Sequence, residues 1–97
     1  MYTVVRLYKT KPGAFDQISE KVQAGFISII SSAPGFRGYY MVNTLNDTLM
    51  TITMFDDQAG AYQSTTTAAK WIKANIADLI ETPPTIIAGE ATIHETQ

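Results

Sequence analysis

The stretch FRGYYMVNTLNDTLMTITMF, residues 36–55, decides the fold of this 97-residue chain. Residues 36–43 and 49–55 are rich in aromatic and β-branched side chains, which suit the pleated surface of a sheet. Asn46 and Asp47 lie between the two runs and favour a turn. Two strands joined by so short a loop predict an antiparallel hairpin in the middle of the chain.

A strand and then a helix are predicted before this hairpin. Residues 2–9 have the composition of a strand, and the turn-forming pair Pro12-Gly13 follows them. In residues 14–32 the apolar side chains recur at spacings of three and four, which indicates an amphipathic helix. This apolar stripe consists of Phe15, Ile18, Val22, Phe26 and Ile29. Pro34-Gly35 is expected to end the helix.

The part of the chain after the hairpin predicts helical structure and a last strand. Asp56-Asp57 can cap a helical region that covers residues 58–80. Ser64-Thr65-Thr66-Thr67 is a run of weak helix formers, so we expect a break there and a second helix from about Thr67. The buried stripe of that second helix is predicted at Ala69, Ile72, Ile76 and Leu79 or Ile80. Pro83-Pro84 should end the helix, and residues 85–95 are predicted as the fourth strand.

The predicted order is β-α-β-β-α-β, a single α+β domain over residues 1–97 with the ferredoxin-like fold. In that fold a four-stranded antiparallel sheet carries its helices on one face. The third strand has Leu49 and Phe55 on one face but Met50, Ile52 and Met54 on the other, so both faces are largely apolar. Two helices can cover only one face, and a second copy of the chain is the simplest cover for the other. We therefore expect a homodimer through the sheet face.

Composition excludes several classes of function. The net charge is −2, and the two arginines Arg6 and Arg37 lie far apart, so the positive stripe of a nucleic-acid-binding protein is missing. The absence of cysteine removes disulfides, thiol nucleophiles and cysteine-ligated metal sites. No signal-peptide pattern is visible, and no apolar stretch approaches the ~20 residues that cross a membrane. We expect a cytoplasmic protein without a membrane partner.

Three short motifs resemble the antibiotic-biosynthesis monooxygenase family. They are Lys11-Pro12-Gly13, Pro34-Gly35-Phe36-Arg37-Gly38-Tyr39, and Phe55-Asp56-Asp57 before an alanine-rich helix. The resemblance implies a dimeric α+β barrel, in which two sheets face each other and each subunit keeps a pocket between sheet and helices. Some members of the family oxidise multi-ring phenols with oxygen and no cofactor, others degrade haem, and some have no known reaction.

The family's functional positions match this chain unevenly. Trp71 takes the place of the tryptophan in the Asn-x-x-x-Trp arrangement of quinone-forming members, but Thr67 stands where they have asparagine. In the haem-degrading members an asparagine stands at the place of Arg6, and a histidine at the place of Glu81. These differences disfavour haem degradation, and we expect no cofactor and no metal.

Arg6 is the most informative candidate residue, because it interrupts a strand that otherwise has the pattern of a buried one. A buried arginine needs anionic or carbonyl partners. Arg6 could hold a phenolate, a carboxylate or a developing oxyanion, or it could form an ion pair with Glu90 or another strand carboxylate.

Aromatic residues are the other candidates. Tyr8, Tyr39, Tyr40 and Trp71 could line a pocket for a planar ligand, although strand tyrosines also serve as packing. The single histidine, His94, is expected at the surface or at a dimer edge.

Three functions agree with these patterns. The first is a cofactor-independent monooxygenase with an aromatic or polyketide-like substrate, in which Arg6 and Trp71 act in catalysis and Tyr8, Tyr39, Tyr40 and Thr67 bind the substrate. The second is a non-catalytic ligand-binding or stress-related dimer of the same fold. Isomerase chemistry, as in muconolactone-type proteins, is a third, but it needs a general base that the sequence does not identify.

Overall fold

A computed structural model of the protein describes residues 1–81 and 83–97. The elements are β1 (Tyr2–Thr10), α1 (Phe15–Lys21), a π-helical turn (Val22–Phe26), α2 (Ile27–Ser31), β2 (Phe36–Leu45), β3 (Thr48–Phe55), α3 (Gln58–Asn75) and β4 (Ile80–Glu90). The strands pair antiparallel in one sheet with the order β2-β3-β1-β4. This arrangement confirms the predicted α+β, ferredoxin-like fold.

The predicted hairpin forms between β2 and β3. Its turn residues Leu45, Asn46 and Asp47 all have positive φ angles, of 67°, 52° and 57°. The Asp47 side chain also accepts a 3.2 Å hydrogen bond from the Gly13 amide, which ties this turn to the turn after β1. Asparagine and aspartate tolerate the left-handed conformation better than most residues, which explains why they are found here.

The first helical region is interrupted by the π-helical turn. Its buried residues Ile18, Val22, Phe26 and Ile30 recur at every fourth position. A regular α-helix would rotate such a stripe by about 40° at each step, and the wider π turn counters that rotation. Ile30 is buried and Ile29 is 45% exposed, so the last member of the predicted stripe was wrong.

The expected break at Ser64–Thr67 is also wrong, because α3 runs without interruption from Gln58 to Asn75. Asp57 caps this helix as predicted, and its Oδ1 accepts a 2.9 Å hydrogen bond from the Gly60 amide. The Ser64 hydroxyl donates a 2.6 Å hydrogen bond to the Ala61 carbonyl, within the same turn. The hydroxyls therefore bond within the helix and do not compete with it.

The last strand begins and ends five residues earlier than predicted, at Ile80 and Glu90. Pro83 and Pro84 lie inside it, at the register shift between the pairs Leu7–Thr85 and Lys9–Glu81. Proline is tolerated there because β4 is an edge strand and the ladder with β1 is interrupted at this point.

The core lies between the helices and one face of the sheet. The buried residues of β1 and β3 on this face are Val4, Arg6, Tyr8, Leu49, Thr51, Thr53 and Phe55. Arg6 pairs with Thr51 of β3 and Ile86 of β4, so it sits in the middle of the sheet. No helix within the described residues is long and apolar enough to span a membrane.

Candidate functional site

A small cavity lies between the sheet and the helices. Its volume is about 30 Å³, which is room for about two water-sized molecules. Its aromatic wall consists of Tyr8 from β1, Tyr39 from β2, Phe26 from the π-helical turn and Trp71 from α3. The Phe26 ring lies 5.4 Å from Trp71 and 5.7 Å from Tyr39, so the three rings form one continuous packed group.

A larger groove opens beside this cavity, between α3 and the start of β4. Its volume is about 490 Å³. Arg6, Tyr8, Ala68 and Ile72 line both the cavity and the groove. Arg6 therefore lies at the junction of the two spaces.

The Arg6 side chain is held by three hydroxyl groups. Nη1 donates to Thr53 Oγ1 at 3.3 Å. Nη2 donates to Ser64 Oγ at 3.4 Å and to Thr65 Oγ1 at 2.6 Å. These bonds fix the guanidinium between β3 and α3, but neutral oxygens do not compensate its charge.

The described residues supply no carboxylate partner for Arg6. Glu90 lies 3.7 Å from the amino group of Met1, and Asp56 lies 3.0 Å from Arg37. The ion pair between Arg6 and Glu90 that the sequence left open is therefore not formed. Arg6 is only 3% exposed, and a buried charge without a counter-ion is costly.

The neighbouring tyrosines do not neutralise Arg6 either. Burial raises the pKa of Tyr39 well above its usual value, and nearby Tyr8 raises that pKa further. Burial also raises the pKa of Tyr8, although Arg6 partly opposes this. Both phenols stay protonated at neutral pH, while burial lowers the pKa of Arg6 itself. Arginine nevertheless keeps its charge in proteins.

Trp71 is held in place by a close approach of two helical segments. A Cβ atom on Gly25 would lie 3.4 Å from the indole atoms Cζ2 and Nε1 of Trp71. Gly25 belongs to the π-helical turn, so this turn brings a residue without a side chain against the ring. The indole therefore packs against Gly25 and Phe26 of this turn at the edge of the cavity.

The structure brings Arg6, Tyr8, Tyr39 and Trp71 together but places the other candidates elsewhere. Tyr40 lies on the outer face of the sheet and is 58% exposed. Thr67 is on α3 but lines neither the cavity nor the groove. His94 is exposed and follows the end of β4. Among residues 1–81 and 83–97, no group of acidic, histidine or cysteine side chains could hold a metal ion.

Sequence reasoning missed the hydroxyl group cluster of Thr53, Ser64 and Thr65. Ser64 and Thr65 were interpreted only as weak helix formers, and Thr53 only as a strand residue. Their positions carry a signal in hindsight, since polar residues at buried positions of a strand and a helix need a common partner. Arg6 is that partner.

Comparisons with known proteins agree with this architecture. The family model described as antibiotic biosynthesis monooxygenase matches residues 1–74. No curated protein matches the chain.

Solved structures share the fold at low sequence identity. A protein of unknown function from Nitrosomonas europaea is 19% identical, with a TM-score of 0.79 over 99% of this chain and 93% of that one. The haem degrader MhuD from Mycobacterium tuberculosis, solved with two haems in its active site, is 12% identical, with a TM-score of 0.77 over 99% of this chain and 100% of its own. HapK from Hahella chejuensis is 16% identical, with a TM-score of 0.75 over 100% of this chain and 98% of its own.

At these identities the solved structures establish the fold alone. The family model covers well over half of the sequence, and its match agrees with the sheet order and with the pocket between sheet and helices. The chain therefore belongs to the antibiotic biosynthesis monooxygenase family.

Proposed function

We propose that this protein is a cofactor-independent monooxygenase acting on an aromatic, polyketide-like substrate. The observation that carries the proposal is the buried guanidinium of Arg6, which has no acidic partner and lies where the aromatic cavity meets the groove. A fixed positive charge in a site that excludes water stabilises negative charge on a reacting molecule.

The chemistry would reside mainly in the substrate. A hydroxylated ring system or an anthrone loses a proton, and its anion is held against Arg6. The electron-rich anion reduces dioxygen, one oxygen atom bonds to the ring carbon, and the second leaves as water with two hydrogens of the substrate. In an anthrone both hydrogens come from the CH₂ group, and in a phenol one comes from the ring C–H and the other from the hydroxyl group. Tyr8, which lines both the groove and the cavity, would contact the ring, and Trp71 and Tyr39 would form the wall of the cavity behind it.

Oxygen consumption tests this function. Purified protein is mixed with an anthrone and no added cofactor, with heat-inactivated protein as the control. Uptake above the control, with formation of the quinone, supports a monooxygenase. No uptake across a panel of such substrates would contradict it.

A non-catalytic ligand-binding dimer is the second candidate. Thr67 lines neither the cavity nor the groove, and this favours the binding protein. Quinone-forming members of the family have an asparagine at this position, and here the position contributes nothing to the site. The two functions differ in what happens to a bound molecule. A small molecule that copurifies unchanged, together with no oxygen uptake, would support the binding protein.

We also propose that the working unit is a homodimer formed through the outer face of the sheet. The register places Tyr40, Ile52, Val5 and Ile87 in one row across all four strands. Met50, Leu7 and Val42 form part of the next row. A monomer would leave this apolar face in water, whereas a second sheet would bury it.

A further inference from the structure

The groove between α3 and β4 has the size and the walls of a small-molecule site. Its volume of about 490 Å³ lies inside the range of about 300–1,000 Å³ that is typical of ligand pockets. Ile72 of α3 and Ile86 of β4 line it, together with Ala69, Ala77 and Pro84. The cavity of about 30 Å³ next to it cannot hold an aromatic ring without movement of its walls, so a ring fits the groove.

The charged residues of the groove are of one sign. Arg6 is buried and Lys73 is exposed, so one positive charge lies at the closed end and the other at the open end. No aspartate or glutamate is among the described residues that line the groove. The groove thus combines apolar walls with two cations, which favours an apolar molecule that carries an anionic group.

The chemistry of Arg6 selects the kind of anion. Phenols have pKa values near 10 and are neutral at physiological pH, whereas carboxylic acids, with values near 4, are ionised. The hydrogen bonds to Ser64 and Thr65 come from Nη2 and the bond to Thr53 comes from Nη1, so these bonds leave two of the five guanidinium donors, the Nε–H and one Nη1–H. Either of them can donate a charge-assisted hydrogen bond to a carboxylate oxygen, and such a bond is stronger than one between neutral groups.

We propose that the groove binds an aromatic carboxylate, with its carboxylate against Arg6 and its ring between Ile72 and Ile86. Lys73 attracts the anion at the entrance and adds a weaker, salt-dependent contribution. The inference rests on the proposed function in taking the ligand to be aromatic and in placing its negative charge at Arg6. It adds that the ligand carries a carboxylate, which is the anion at Arg6 before the ring is ionised, and it adds the place where the ring lies.

Calorimetric titration with 2-naphthoate and its neutral analogue 2-naphthylmethanol tests the proposal. The carboxylate is expected to bind at least about tenfold more tightly than the alcohol, because its charge-assisted hydrogen bonds require the ionised group. Arg6→Met should remove that preference and leave the affinity for the alcohol unchanged. Lys73→Met should weaken naphthoate binding about two- to fivefold, while Lys70→Met, on the same helix but outside the groove, should not.

A second variant tests the place of the ring. Ala69 lines the groove but not the cavity, so Ala69→Phe should block naphthoate binding while leaving Arg6 untouched. Any one of three results would overturn the proposal. They are equal affinity for naphthoate and the alcohol, undiminished naphthoate binding by Arg6→Met, and undiminished naphthoate binding by Ala69→Phe. Binding is measured without turnover, so the two proposals can fail separately. Oxygen uptake by a protein that does not bind naphthoate would overturn this inference alone. Naphthoate binding without oxygen uptake would overturn only the oxygenase function.

Discussion

The Nη2 atom of Arg6 lies 2.6 Å from the Oγ1 atom of Thr65, and this hydrogen bond joins the centre of β1 to the middle of α3. The Thr65 hydroxyl itself donates a 3.4 Å hydrogen bond to the carbonyl oxygen of Ala61. The contact therefore fixes the direction of the guanidinium while leaving its charge uncompensated. It also sets the spacing between the sheet and the helix at the point where the cavity meets the groove.

Arg6→Met is expected to leave the free energy of unfolding unchanged or to raise it by up to about 2 kcal/mol. An apolar side chain of similar length removes the desolvation cost of a buried charge, and functional sites commonly reduce stability in this way. Urea denaturation checks the prediction. A loss of more than about 2 kcal/mol would mean that Arg6 serves mainly to hold β1 against α3.

The sequence was sufficient to predict the fold because its strongest signals are local. The hairpin around Asn46-Asp47 and the stripe from Ile18 to Phe26 need only periodicity and turn chemistry. The wrong helix break in the second half depends on tertiary context. The run Ser64–Thr67 stays helical, and the hydroxyls of Ser64 and Thr65 bond to Ala61 and to Arg6, a residue far away in the chain.

The candidate site was predicted only in part for the same reason. Arg6 was recognisable as a charge in a buried strand, and Trp71, Tyr8 and Tyr39 as aromatics that could meet it. The partners of Arg6 were not recognisable, because no local pattern links Thr53 to Ser64 and Thr65. Tyr40 could not be separated from Tyr39 by composition; the register of β2 alone decides which of them faces the helices.

Gly25→Leu is expected to displace the indole of Trp71 and to lower the free energy of unfolding by about 1–3 kcal/mol, because the packed π-helical turn cannot accept a larger side chain. Trp71 is the single tryptophan, so its fluorescence reports the displacement directly. The same change at the exposed neighbour, Ala24→Leu, should leave both the spectrum and the stability nearly unaltered. Identical spectra for Gly25→Leu and the unmodified protein would show that the turn does not set the position of Trp71.

Stability should fall at alkaline pH because of Tyr39. Burial raises the pKa of Tyr39, so the folded chain keeps a proton that the unfolded chain loses near pH 10. The free energy of unfolding is then unaffected by this group below about pH 10 and falls as the pH rises above it. Denaturation of Tyr39→Phe should show a shallower decline, whereas Tyr40→Phe, which removes an exposed hydroxyl, should decline like the unmodified protein. Equal declines in all three proteins would contradict the burial of the Tyr39 phenol.

Ile52→Glu should convert the proposed dimer to a monomer. Ile52 lies between Tyr40 and Val5 on the outer face, so a charge there would be buried between the two sheets without a partner. Light scattering after gel filtration measures the mass. Gln63→Glu, an exposed position on α3, adds the same charge away from this face and should stay dimeric. A monomeric mass for the unmodified protein at micromolar concentration would contradict the proposed homodimer.

The central claim is that Arg6 stabilises the anion of an aromatic substrate during its reaction with oxygen. The most direct test is the rate of oxygen uptake with an anthrone, compared between the unmodified protein and Arg6→Met at saturating substrate. The account predicts a rate at least about a hundredfold lower for the variant, in line with the loss of one oxyanion-stabilising group. An unchanged rate in a folded Arg6→Met protein would contradict it.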